Sequence, residues 1–256
     1  MSASPLYIVA AVFVGLSVGS FVNVIIYRLP RGLSVVKPRS FCPQCRCSIP
    51  WYENIPVLSY LVLGRRCGGC RALIPARYPI VEAIGGALAV LVILRFGTSY
   101  DAIVAYAFLM ALVAVTLIDW DHRIIPDEIT LSFLLAGLVW SFLGGSVNPL
   151  HSFLGALAGG GVLYGVGFVY KLVRHAEGMG GGDVKLMAMI GAFLGIKLVL
   201  PVILIASLSG TLYGIVLLRS GKGGKAAVAF GSFLAPAAAL CIFYGTEMLG
   251  WYIGHF

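Results

Sequence analysis

The chain has 256 residues, of which 60% are hydrophobic and only 11% charged, whereas soluble domains carry about 25% charged residues. Its mean hydropathy is +0.98, and 33 glycines are spread through the apolar stretches. This composition excludes a soluble enzyme, a disordered chain and a coiled coil, and it predicts an integral membrane protein. The formal net charge is +8.

Apolar segments that are long enough to cross a bilayer recur along the whole chain. A hydrocarbon core of about 30 Å requires about 20 helical residues. Polar breaks divide the sequence into eight candidate spans, of which the fourth and sixth are short. The sequence therefore predicts an all-α polytopic membrane protein with about eight transmembrane helices. The candidates are residues 6–27, 78–94, 102–118, 129–142, 150–170, 184–195, 198–218 and 228–253.

The net charge is concentrated between the first two spans. Nine basic residues and one acid lie between Arg28 and Arg77. With eight spans, sixteen of the eighteen basic residues fall on one side of the membrane, which the positive-inside rule makes cytoplasmic. We expect the basic loop to face anionic lipid headgroups, because no nucleic-acid-binding pattern accompanies it. The predicted organisation is a first transmembrane helix (1–27), a cytoplasmic loop domain (28–77) and a seven-helix membrane domain (78–256).

Four cysteines in this loop have the spacing of a zinc ribbon. Cys42 and Cys45 form one pair, and Cys67 and Cys70 form a second. Two intervening residues make a tight turn that directs both thiolates toward one tetrahedral metal, so four thiolates predict a closed structural zinc site in a zinc-ribbon-like domain. Cys47 is a spare cysteine beside this set. Two disulfides are the alternative, but a cytoplasmic loop is kept reduced, which favours the metal.

Two acidic clusters lie at the predicted cytoplasmic ends of spans. The first is Asp119-Trp120-Asp121, followed by Asp127-Glu128, and the second ends the glycine run of residues 178–182 at Asp183. Two facing carboxylates suit amide hydrolysis, because one stays protonated as the acid while the other draws a proton from water. Glycines such as Gly180 and Gly182 allow a substrate backbone to approach the carboxylate. The alternatives are ordinary loop acids for the first cluster and a helix N-cap for Asp183.

These features resemble the type IV prepilin peptidases, bacterial inner-membrane aspartic proteases with a GxGD motif. The resemblance covers nearly the whole chain: residues 19–30 resemble the family's opening segment, the four-cysteine loop its zinc-binding domain, and residues 178–195, GMGGGDVKLMAMIGAFLG, its second catalytic motif. It implies cleavage of the basic leader of prepilins or pseudopilins after a glycine at the cytoplasmic membrane face. It also implies methylation of the new amino terminus with S-adenosylmethionine.

The resemblance assigns the catalytic positions to Asp119 and Asp183. Asp121 cannot face Asp183 together with Asp119 if that end is helical, because residues two apart differ by about 200°. The basic leader of a substrate is expected to be attracted by nearby acids and to lie against the glycines. The candidate substrate-binding residues are Asp121, Asp127, Glu128, Glu177, Gly180 and Gly182. No S-adenosylmethionine residues are assigned, since no glycine-rich nucleoside-binding fingerprint is present.

Two other classes of protein fit part of the sequence. A proton-coupled transporter would use the aspartates as proton carriers, but it predicts corresponding broken helices in two halves, and GMGGGD occurs once. A zinc-dependent pilus-assembly scaffold would use the cysteine loop and leave the aspartates as helix caps. Among proteases, a presenilin-like enzyme that cuts within the membrane shares the chemistry, but the aspartates at the membrane edge favour a leader peptidase.

Overall fold

A computed structural model of the chain describes residues 4–175, 179–220 and 229–254. The fold comprises two compact units, residues 1–110 and 111–256. The described residues form nine α-helices and two isolated β-bridges, which confirms the predicted all-α fold. The helices are α1 (Pro5–Arg28), α2 (Leu58–Val62), α3 (Arg77–Phe96), α4 (Tyr100–His122), α5 (Asp127–Phe142), α6 (Pro149–Arg174), α7 (Gly181–Leu194), α8 (Ile196–Arg219) and α9 (Gly231–Gly254).

Eight of these helices coincide with the eight predicted spans. Six are long and apolar enough to cross a membrane within the described residues, namely α1, α3, α4, α6, α8 and α9. The other two, α5 with 16 residues and α7 with 14, match the two spans that were expected to be short. At 1.5 Å per residue α7 is only about 21 Å long.

In the first unit, glycines allow α1 and α3 to pack closely. A Cβ added at Gly19 would lie 2.7 Å from the Cα of Glu82, so only a glycine permits this approach. The hydroxyl of Tyr106 lies 3.3 Å from the carbonyl oxygen of Gly15 and 3.2 Å from that of Gly85, at the same crossing. Small residues at crossings are how membrane helices gain packing contacts without a hydrophobic driving force.

Between α1 and α3, the loop contains two turns of the same design. β-bridges join Phe41 to Ser48 and Arg66 to Leu73, and each pair of bridged residues encloses one cysteine pair. Arg46 N–H donates to Cys42 O at 2.8 Å, and Arg71 N–H donates to Cys67 O at 3.0 Å. Both arginines have a positive φ, 58° and 61°, directly after the second cysteine of each pair. Residues 40–49 and 65–74 are therefore a structural repeat that presents two cysteines from each turn.

In the second unit, α7 lies at the centre of the helix packing. It packs against α5, α6, α8 and α9. Gly155 of α6 and Gly191 of α7 are in backbone contact, and Ser152 Oγ donates to Ala192 O at 2.7 Å across the same crossing. Leu186, Met187, Met189 and Ile190 of α7 are fully buried. This packing fixes the N-terminal end of α7, where the GMGGGD motif lies.

Candidate active site and metal centre

The two cysteine turns bring four sulfur atoms together. The Sγ atoms of Cys42, Cys45, Cys67 and Cys70 all lie within 4.8 Å of one another, and Cys42 Sγ is 3.9 Å from Cys70 Sγ. A tetrahedral zinc with Zn–S bonds of about 2.3 Å separates its sulfurs by about 3.8 Å. All six cysteines of the chain are free thiols, without the two disulfides considered from the sequence. The four cysteines can therefore bind one metal ion.

Backbone donors prepare this cluster for a cation. N–H groups of Cys70 and Gly69 hydrogen-bond the sulfur of Cys67 and lower its pKa to about 6. The pKa of Cys70 is raised to about 11: a backbone hydrogen bond from Ala72 lowers it, but desolvation and the neighbouring thiols outweigh that bond. Thiols at this distance oppose each other's ionisation, and a bound cation removes that opposition. The spare Cys47 lies outside the set, with its Sγ 2.8 Å from Cys45 Sγ.

Asp119 lies near the end of α4 and is buried, with 4% of its surface exposed. Its Oδ2 accepts the backbone N–H of Ser232 at 2.7 Å and lies 3.1 Å from Ser232 Oγ. The same hydroxyl is 3.2 Å from Thr116 O, so its single hydrogen serves one of the two acceptors at a time. Asp121 is exposed, two positions further along the same helix. The helix thus directs Asp119 inward and Asp121 outward.

Asp183 is the third residue of α7, and Gly180 is the N-cap of that helix. The carboxylate of Asp183 accepts the backbone N–H of Gly180, which is one half of a capping box. It also accepts the backbone N–H of Gly231 and interacts electrostatically with Asp119. The N-cap role considered for Asp183 therefore belongs to Gly180, while Asp183 faces Asp119.

Two consecutive residues at the start of α9 link the aspartates. Gly231 donates its N–H to Asp183, and Ser232 donates its N–H to Asp119. The first N–H groups of a helix have no intrahelical acceptor and lie at the positive end of the helix dipole, so they bind anions. A Cβ at position 231 would lie 2.9 Å from Asp119 Oδ2 and 2.6 Å from Ile125 Cδ1. Glycine at this position thus leaves room for the carboxylate of Asp119 and for Ile125.

The candidate substrate-binding residues have different surroundings. Asp127, at the first position of α5, is held by Lys185, whose Nζ lies 2.8 and 2.7 Å from its two oxygens. Asp121 and Glu128 are exposed. Gly182 packs against Ile125, since a Cβ there would lie 3.0 Å from Ile125 Cβ. Glu177, like Gly178 of the motif, lies outside the described residues.

The sequence analysis did not identify Gly231, Ser232 or Ile125 as parts of this site. A Gly-Ser pair at the start of a span is a common helix beginning, and it carries no catalytic signal of its own. Ser232 lies 113 positions from Asp119 in the chain. Only the packing of α9 in the second unit reveals the contact.

Comparisons with known proteins identify the family of this chain. Residues 13–96 match the bacterial peptidase A24 N-terminal domain, and residues 106–215 match the type IV leader peptidase family. No solved structure matches the chain. Three similar proteins carry the name prepilin leader peptidase/N-methyltransferase. The protein from Aeromonas salmonicida is 37% identical over 97% of this chain and 94% of its own length, that from Burkholderia pseudomallei 37% over 92% and 85%, and that from Pseudomonas aeruginosa 34% over 99% and 96%.

The matches extend over both units, including the four-cysteine turns and the helices that carry Asp119 and Asp183. The relatives are aligned over nearly their full length, so the similarity covers whole proteins rather than one motif. This chain belongs to the type IV leader peptidase family.

Proposed function

We propose that this protein is a membrane aspartic endopeptidase that removes the leader peptide of type IV prepilins or pseudopilins, with Asp119 and Asp183 as its catalytic pair. The relatives' shared name supports the substrate class. The observation that carries the catalytic assignment is the pair of consecutive N–H groups, from Gly231 and Ser232, that hold the two carboxylates in one site.

The chemistry follows from two adjacent carboxylates that share one proton. The ionised carboxylate takes a proton from a water molecule, and the water oxygen attacks the scissile carbonyl carbon. The protonated carboxylate transfers its proton toward the leaving amide nitrogen as the C–N bond breaks. The acid and base roles belong to the pair as a unit, because the two titrations are coupled.

Neighbouring residues are suited to binding the basic leader. Asp121 and Glu128 are exposed acids close in sequence to Asp119, and opposite charges near a site concentrate a charged substrate there. Asp127 binds the leader by releasing Lys185 and pairing with a basic group of the substrate. The Asp127–Lys185 ion pair is half exposed and is therefore easily separated. Gly180 leaves space for an extended substrate backbone, Gly182 lets α7 pack against Ile125, and Glu177 adds a further negative charge.

The four-cysteine cluster is proposed as a structural zinc site. Zinc suits four thiolates in a closed tetrahedral shell. The loop of residues 28–77 lies within the first unit, and between α1 and α3 it has only short helical elements. Metal binding is the expected source of its folding free energy.

Methylation of the new amino terminus is the second proposed activity, and the name of the relatives supports it. S-adenosylmethionine, when bound, supplies a methyl group from its sulfonium. The neutral amine accepts that group and then loses a proton. The methyl donor's site is treated in the next subsection.

The proposed location is the bacterial inner membrane, with the aspartates and the zinc loop on the cytoplasmic side. The basic residues of the loop after α1, together with Arg123, Lys171 and Arg174, support this orientation through the positive-inside rule. In the proposed organisation, residues 1–27 are the first transmembrane helix, 28–77 the zinc-binding domain and 78–256 the peptidase domain.

Cleavage of a co-reconstituted prepilin tests the catalytic pair. Asp119→Asn and Asp183→Asn are expected to lower the rate of leader removal by at least about 1,000-fold, since neither retains a pair of carboxyls that can exchange a proton. Asp121→Asn is the matched control two positions away and is expected to retain cleavage.

If a folded and inserted Asp119→Asn or Asp183→Asn variant still cleaves prepilin, the assignment of the catalytic pair is wrong. Inactivity of the wild type toward prepilins, with proton-coupled uptake in the same vesicles, would favour the transporter. Binding of pilus-assembly proteins without cleavage would favour the scaffold.

A further inference from the structure

Two adjoining cavities lie within the first unit, between the cytoplasmic ends of α1 and α3 and the four-cysteine turns. Their volumes are about 280 and 290 Å³, each near the lower end of the range for small-molecule sites. One has mainly apolar walls, which include Ile49, Ile55 and Leu63. The other is more polar, with Ser20, Asn23 and Ser40 in its wall. Both cavities share six lining residues: Phe41, Pro43, Ile49, Asn54, Tyr78 and Glu82.

Glu82 lies at the junction of the two cavities. It is a buried acid on an apolar helix, with 9% of its surface exposed, and an acid in such a place is costly unless it has a function. Its Oε2 accepts the N–H of Val57 at 2.8 Å, and Ser20 provides a second hydrogen bond. Both donors are neutral groups, one a backbone N–H and the other a serine hydroxyl.

The residue that Glu82 holds is strained. Val57 has φ +62° and ψ −48°, a conformation that a β-branched side chain rarely adopts and that costs about 1–3 kcal/mol. Val57 lines the apolar cavity. Backbone strain of this kind persists where the surrounding structure holds a residue in place, and it is concentrated at functional sites. The carboxylate of Glu82 thus both fixes that wall and faces the cavities.

We propose that these two cavities bind S-adenosylmethionine, and that Glu82 is the residue that recognises it. The proposal rests on the proposed methyl transfer and assigns its donor a site. The donor combines a flat purine, a ribose diol and a sulfonium cation. The apolar cavity suits the purine, a buried carboxylate is a known acceptor for ribose hydroxyls, and the aromatic ring of Tyr78, which lines both cavities, can attract a desolvated cation.

Arg28 completes the polar cavity. Its guanidinium is buried, with 4% exposed, and it donates to Ser34 O at 2.9 Å and Arg39 O at 3.2 Å. It lies 5.3 Å from the centre of the Phe41 ring. These hydrogen bonds hold the segment that follows α1. The positive charge of Arg28 lies beside the polar cavity, where it can pair with the carboxylate of the donor's methionine part.

The zinc site and the cavities share a wall. Cys42 and Cys67, the first cysteines of the two turns, line the apolar cavity together with Pro43 and Gly68. A metal ion that holds both turns therefore also holds this wall. Removal of the metal is expected to weaken binding of the methyl donor, because this wall would lose its support.

Equilibrium binding of S-adenosylmethionine to the full-length protein in detergent tests the site. Calorimetry is used with the donor and separately with its product, S-adenosylhomocysteine. Glu82→Gln keeps the size and an acceptor for the Val57 N–H, and it is expected to weaken binding about tenfold or more. Asn54→Trp fills the junction and is expected to abolish binding. Glu247→Gln, an exposed acid on α9, is the charge-matched control and binds as the wild type does.

The outcomes separate this site from the proposed function. If the wild type binds the donor and both Glu82→Gln and Asn54→Trp bind it equally well, the donor site lies elsewhere, and the proposal is wrong while methyl transfer stands. If the wild type binds neither compound, methyl transfer itself fails and the site fails with it. Leader cleavage by the same wild-type preparation reports on the peptidase separately. Zinc content and thermal unfolding establish that each variant is folded. If Glu82→Gln does not fold, binding of the donor to Asn54→Trp tests the site.

Discussion

Asp119 and Asp183 each accept a hydrogen bond from a backbone N–H, and Asp119 also lies within hydrogen-bond distance of the Ser232 hydroxyl. Gly231 and Ser232 supply one N–H group each, and both groups belong to the first turn of α9. A side-chain substitution cannot remove a backbone N–H group. Mutagenesis can therefore test only the side chains around these donors. Two such substitutions test the importance of this arrangement.

Ser232→Ala removes the hydroxyl and keeps the N–H bond to Asp119. We expect the kcat for leader cleavage to fall about tenfold, because a hydrogen bond to a charged group contributes about 1.5–3 kcal/mol and the hydroxyl is shared with Thr116 O. KM should change little. The control is Ser209→Ala, in which a hydroxyl that donates to Ile205 O within α8 is lost. An unchanged kcat in Ser232→Ala would mean that the N–H alone positions Asp119.

Gly231→Ala tests the space between the start of α9 and the carboxylate of Asp119. The added methyl would lie 2.9 Å from Asp119 Oδ2 and 2.6 Å from Ile125 Cδ1, so one of them must move. A displacement of about 1 Å in a catalytic group costs about 100-fold in rate, and we expect a loss of that size in single-turnover cleavage. At Gly214, a Cβ meets no atom within 4 Å, so Gly214→Ala serves as the control. Normal cleavage by Gly231→Ala would exclude a tight carboxylate pair at this position.

At the level of elements, the two cysteine turns show how a short segment can encode a metal site. Each turn has a β-bridge, a donor from the residue after its second cysteine, and a positive φ at that residue. The second turn has Ala72 at the position of Cys47 in the first. Cys47 is therefore the one cysteine of the loop without a counterpart in the other turn, although its Sγ lies 2.8 Å from that of Cys45.

Elemental analysis of purified protein tests this distinction. We expect about one zinc per chain in the wild type and in Cys47→Ser, since Cys47 lies outside the four-sulfur cluster. Cys70→Ser is expected to lose most of the metal and to unfold the loop at a lower temperature than the wild type. Equal zinc loss in both variants would place Cys47 among the ligands.

For the whole molecule, the orientation in the membrane decides which compartment supplies the substrate. If all eight helices cross the membrane, residues 28–77 and the loops after α4, α6 and α8 lie on one side, and the loop between α5 and α6 lies on the other. The short helices α5 and α7 must both cross for this arrangement to hold. Their apolar sequences are compatible with crossing, and α7 packs against α5, α6, α8 and α9.

Alkaline phosphatase inserted into the full chain tests this orientation, because the enzyme is active only outside the cytoplasm. An insertion after Ser146, between α5 and α6, is expected to be active. An insertion after Ser220, at the end of α8, is expected to be inactive, because the basic residues of that side remain in the cytoplasm. The reverse pattern, or activity at both positions, would contradict a cytoplasmic active site.

The sequence by itself determined the helical membrane fold, the approximate bounds of the eight helices and the two cysteine pairs. These features depend on local composition and short spacings, such as a 20-residue apolar run or two residues between thiols. Asp119 and Asp183 were predicted from their motifs and from the resemblance to a family. Only the tertiary structure decided that Gly231 and Ser232 hold them, and that Glu82 faces two cavities beside the cysteine turns. Such contacts join residues up to 113 positions apart, and they arise from how the helices pack, which no local pattern encodes.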